Sequence, residues 1–131
     1  MSDLNLSAYP PAVVIHSLAN ARLALSRQRP VTLLSAPAAA LYAGCLWWRE
    51  LIAAAATECP AFLDCADAPG RAVEALRLGL RGIILNCEPG LFGAVTQIAQ
   101  AQDATVLAAA PPALDLALRG SERQLDAWLQ A

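Results

Sequence analysis

The sequence contains no lysine: all nine basic residues are arginine, Arg22, Arg27, Arg29, Arg49, Arg71, Arg77, Arg81, Arg119 and Arg123. That absence excludes Schiff-base chemistry and the phosphate-binding lysine of a Walker loop. The arginines are scattered rather than striped and the net charge is −2, so the electrostatic footprint of a nucleic-acid binder is missing. Charged residues make up only 15 % of the chain, against the usual quarter or so. A surface so poor in charge predicts that part of it is covered by a second subunit, with a homodimer as the first expectation.

Histidine is nearly absent too, His16 being the single one. The four cysteines, Cys45, Cys59, Cys65 and Cys87, lie 14, 6 and 22 residues apart, which matches no zinc pattern. The opening "MSDLNLSAYPP" has an early Asp3 and no apolar segment, so no secretion signal is expected and the thiols are expected to be reduced, in the cytoplasm. The longest apolar region, 36–56, is interrupted by Arg49 and Glu50, so no membrane span is expected. No motif calls for a cofactor. A phosphoacceptor receiver domain, which needs a lysine, is excluded as well.

What the chain does have is alternation. Five short aliphatic runs, "AVVIH" (12–16), "VTLL" (31–34), "AFLDC" (61–65), "GIILN" (82–86) and "TVLAA" (105–109), are continuous in the manner of strands buried on both faces. Helical patterns separate them. "SLANARLALSRQ" begins with Ser17 as a cap, and "AALYAGCLWWRELIAAAATE" reads as one long helix. "GRAVEALRLG" stops at Gly79, "LFGAVTQIAQAQ" follows, "PALDLALRG" continues as helix, and "SERQLDAWLQA" carries Ser121 and Gln124 at capping-box spacing. The expectation is therefore an α/β fold, a three-layer doubly wound parallel sheet of about five strands, with a flavodoxin-like order 2-1-3-4-5 first and a Rossmann-like order second. Residues 12–131 form the single domain after a tail, 1–11; a complete β/α barrel needs about 250 residues and does not fit.

In such sheets ligands sit beyond the carboxyl ends of the strands, where strand order reverses. Order 2-1-3-4-5 would bring His16 and Ser17 beside Asp64, Cys65 and Asp67, with Asn86, Cys87 and Glu88 one strand further on. Ser17, Ser35, Asp64, Asn86 and Glu88 are the expected ligand contacts. Helix N-termini among them would suit a small anionic or metabolite ligand without any catalytic side chain. Asp67 is equally read as the cap of the helix after the third strand.

"CADAPGR" spaces Cys65 and Arg71 five residues apart between strand and helix, and in this it resembles the phosphate loop of cysteine-dependent phosphatases. The resemblance implies a thiolate at Cys65 attacking phosphorus while Arg71 holds the oxygens. The pattern departs from that family at Asp67, Pro69 and Ala72, where a charge, a lost amide and a missing hydroxyl stand. "LNCEPGLFG" resembles the active loop of rhodanese-type sulfurtransferases through Cys87, but no basic residue closes the loop. A Cys65–His16 pair with an acidic neighbour is the remaining catalytic arrangement, and a metal at His16, Asp64, Cys65 and Cys87 has no spacing behind it.

In the second helical pattern Trp47 and Trp48 lie about 100° apart, so one enters the core more easily than the other. Tyr42, Trp47 and Trp48 are the expected subunit contact.

Overall fold

In the computed structural model, which describes residues 9–130, the chain is an α/β domain on a single six-stranded, all-parallel sheet with six helices. The strands are β1 (Ala12–Val14), β2 (Thr32–Leu34), β3 (Ala61–Asp64), β4 (Gly82–Ile84), β5 (Thr105–Leu107) and β6 (Ala113–Asp115). The helices are α1 (Leu18–Leu25), α2 (Ala39–Tyr42), α3 (Cys45–Ala55), α4 (Pro69–Arg77), α5 (Pro89–Ala101) and α6 (Ser121–Leu129). Most of the expected tail, 1–8, and Ala131 lie outside the described residues.

The strand order is β5-β4-β3-β2-β1-β6. It is Rossmann-like in reversing at β1: strands step outward from β1 to β5, then the chain returns to pair β6 with the free side of β1. The neighbours expected from order 2-1-3-4-5 change accordingly, because β2 pairs with both β1 and β3 and separates them. The switch point lies between β1 and β6.

Right-handed crossovers that all step one way place their helices on one face. Strand alternation shows which. Val13, Leu33, Leu63 and Ile83 face the helices and pack with Ala21, Ala24, Trp48, Ala75, Val95 and Leu125. Ala12, Leu34, Phe62, Ile84 and Leu107 form a second cluster on the other face, joined by Tyr9, Val14 and Ala113. Tyr9 closes on Phe62 edge to face at 5.2 Å.

The return from β5 to β6 bends the sheet. Leu107 to Ala113 is six residue steps, about 21 Å at full stretch, whereas five inter-strand gaps of ~4.8 Å span about 24 Å. The sheet must therefore curl, with the second cluster on its concave side.

Three local expectations change. The long second helical pattern breaks at Gly44, whose φ of 97° separates α2 from α3. "ALD" in 113–115 is strand rather than helix, following the two prolines at 111 and 112. The last helix starts from Gly120 in left-handed conformation without a side-chain cap, so Ser121 is not the capping residue.

Candidate functional site

Alternation sorts the chemistry-bearing residues at the carboxyl rim by face. Ile15, Cys65 and Leu85 continue the helix-facing pattern and are fully buried. Their neighbours His16, Asp64 and Asn86 therefore lie on the concave side, and Asp115, in register with Val14, joins them from β6. His16 and Asp115 meet across the switch point, Nε2 to Oδ1 at 2.8 Å, each side chain about one-third exposed.

Each acidic member also closes a tight turn with one oxygen. Asp115 Oδ1 accepts the Ala117 amide at 2.9 Å, and Asp64 Oδ1 accepts the Ala66 amide at 2.8 Å. Asx turns of this kind fix the carboxylate and leave its second oxygen available. Burial alone would push the Asp115 carboxyl up; the Ala117 amide and His16 outweigh it and hold the carboxyl below its ordinary value. The His16 amide donates to Asn20 Oδ1 at 3.0 Å, which ties the histidine to the start of α1.

The remaining expected ligand contacts serve the frame. Ser35 is buried; its hydroxyl donates to the Ala36 carbonyl and accepts the Asp64 amide at 2.9 Å, a strut beneath Asp64. Ser17 accepts the Asn20 amide and caps α1, as expected. Glu88 caps α5 through the Gly90 amide. Asp67 is exposed and does not cap: the residue before α4 is Ala68, with no side-chain cap.

The phosphatase-like loop is not assembled. The Cys65 side chain belongs to the helix-side core, and burial pushes its thiol up to about 12, with Cys45 and Asp64 adding to the rise. Arg71 is exposed and bonds Glu74 Oε1 at 2.6 Å. Nor does Cys65 join His16, since the two project from opposite faces. Cys87 is half-buried against the same core, its Sγ donating to the Glu88 carbonyl at 3.6 Å. Among the described residues no group of three or more His, Cys, Asp or Glu is placed to hold a metal ion.

The residue that sequence reasoning missed is Asp115. The signal was the pair of prolines at 111 and 112, which cannot continue a helix and open a new segment. No family model matches the chain, and no curated protein matches it.

Proposed function

We propose that this domain binds a small polar metabolite at the carboxyl rim of its concave face. The observation that carries the reading is the meeting of His16 and Asp115 at the switch point, on the same face and rim as Asp64 and Asn86. Asp64 lies two strands from β1, roughly 10 Å away at normal spacing, so one small molecule reaches from His16 to Asp64, with Asp115 and Asn86 one strand further out on either side.

Charge selects the ligand. Two fixed carboxylates accept hydrogen bonds, and His16 and Asn86 add a ring nitrogen and an amide that donate or accept. That set fits a neutral or cationic ligand rich in hydroxyl or amino groups. Helix N-termini would favour an anion instead, but the side chains of Ser17 and Glu88 already cap those of α1 and α5, while the starts of α2 and α4 carry no side-chain cap. The domain is a binding module in this reading, with the His16 ring held in place by Asp115.

Self-association belongs to the same proposal. Leu41, Tyr42 and Leu46 form an exposed apolar cluster, Tyr42 being 69 % exposed, whereas Trp48 is buried and Trp47 packs against it at 5.8 Å. The proposed contact therefore centres on Tyr42 with its leucine neighbours. All four thiols are free, which supports a reducing cytoplasmic setting. No helix among the described residues is long and apolar enough to cross a membrane.

The test is a nitrogen-15 NMR titration against sugars, polyols and short amines. Binding should move the amides of Val14, His16, Asp64, Asn86 and Asp115 together, and His16→Gln with Asp64→Asn should abolish it. Binders that shift only residues elsewhere, or that prove to be exclusively anions, would overturn the reading.

A further inference from the structure

A cavity lies at the other end of the sheet. It holds about 640 Å³ beneath the amino ends of β3, β4 and β5, within the size range of small-molecule sites. The carboxyl-rim residues take no part in it.

Three helix-to-strand turns build its mouth. Each reverses through a left-handed residue: Ala56 (φ 53°) after α3, Gly79 (φ 86°) after α4 and Asp103 (φ 57°) after α5. The carbonyl ends of three helices thus point toward one opening. Their dipoles make it electronegative and favour a cation there. Glu58 and Asp103 add two carboxylates to the same mouth.

Opposite charge is present as well. Arg49 and Arg81 reach the cavity from α3 and from the turn before β4. Arg49 pairs only with its neighbour Glu50, and among the described residues Arg81, Glu58 and Asp103 make no ion pair. Charges of both signs therefore surround one opening without neutralising each other across it.

The walls between them are apolar. Trp48, Ile52, Phe62 and Leu80 line the interior. Space beside Phe62 exists because β4 opens with Gly82: a Cβ there would collide with the Ala61 carbonyl and the Phe62 ring.

We infer that this amino-edge cavity is a second binding site, for a small zwitterion with an apolar body, of the class of an aliphatic or aromatic α-amino acid. The ammonium is held by Glu58, Asp103 and the helix carbonyl ends, the carboxylate by Arg81 and Arg49, and the side chain by the apolar wall.

Isothermal calorimetry on the full chain tests it, with L-phenylalanine and L-leucine as probes. Phenylalaninamide, which lacks the carboxylate, and N-acetyl-phenylalanine, which lacks the ammonium, serve as arms. At least one amino acid should bind, and each arm should bind about tenfold or more weakly than L-phenylalanine or not at all, as expected for losing a charged hydrogen bond. Arg81→Gln should weaken amino-acid binding about tenfold yet leave phenylalaninamide unchanged. Asp103→Asn keeps a residue tolerant of the left-handed backbone; it should weaken the amino acids and leave N-acetyl-phenylalanine unchanged. No heat from either amino acid at about 10 mM with folded protein, or equal binding of zwitterion and both arms, overturns the inference. The site is distinct from the carboxyl rim, so its failure leaves that proposal standing.

Discussion

Asp115 shows how much a single carboxylate decides. Its carboxyl titrates below the usual range in the folded protein, so its contribution to stability is fully present above the unfolded value, near pH 4. That contribution is lost as pH falls through the folded value. Asp115→Asn should therefore be less stable than the parent at pH 7, with the gap closing in acid; urea unfolding at pH 7, 4 and 2.5 checks this. A gap that is constant with pH would assign the effect to packing instead. The thiols give a second residue-scale prediction. Iodoacetamide at pH 7.5 should modify half-buried Cys59 and Cys87 in the native protein and reach Cys45 and Cys65 only after unfolding, as mass spectrometry would read. Early loss of Cys65 would revive the phosphatase-like chemistry. His16, Asp64 and Asn86 were legible as strand-end polar residues, but the face each side chain takes was not. Cys65 sits next to Asp64 in the chain and on the opposite side of the sheet, and one residue of register separates a rim ligand from a core thiol.

Among the elements, β4 depends on having no side chain at its first position. The Phe62 ring lies over Gly82, and Gly82→Ala forces Cβ into the Ala61 carbonyl, which is backbone and cannot yield. The expected loss is about 1–3 kcal/mol in denaturant unfolding. A neutral result would show that β3 and β4 shift apart easily. Elsewhere α6 is fastened to β1 by the Trp128 indole N–H, which donates to the Ala12 carbonyl at 2.7 Å. Trp128→Phe keeps most of the apolar contact and removes that bond, so a loss of about 1 kcal/mol is expected, also from denaturant unfolding. Five of the six strands were readable from their aliphatic runs. β6 was not, because "ALD" is short and its leucines "LDLAL" suit a helix equally well; pairing with β1 supplies the missing reason for strand. The helix break at Gly44 was written as a glycine within an apolar stretch, which local pattern alone tolerates.

For the whole molecule, the short β5–β6 return is the decisive constraint. It curls the sheet, opens one concave face, and brings β6 against β1 so that Asp115 meets His16. The exposed Leu41, Tyr42 and Leu46 cluster sets the expected assembly: light scattering at micromolar concentration should report about twice the chain mass of 13.7 kDa, and Tyr42→Glu should return it to one. A parent of single mass at all concentrations would remove the dimer. By itself the sequence determined the α/β class, the parallel alternation and the polar character of the strand exits, because those follow from local apolar runs, caps and glycines. Only the tertiary structure decided the neighbours of β1, the face given to each rim residue and the cavity at the amino edge. Those depend on which distant segments pair, and pairing is settled by closing the chain in space, not by any local pattern.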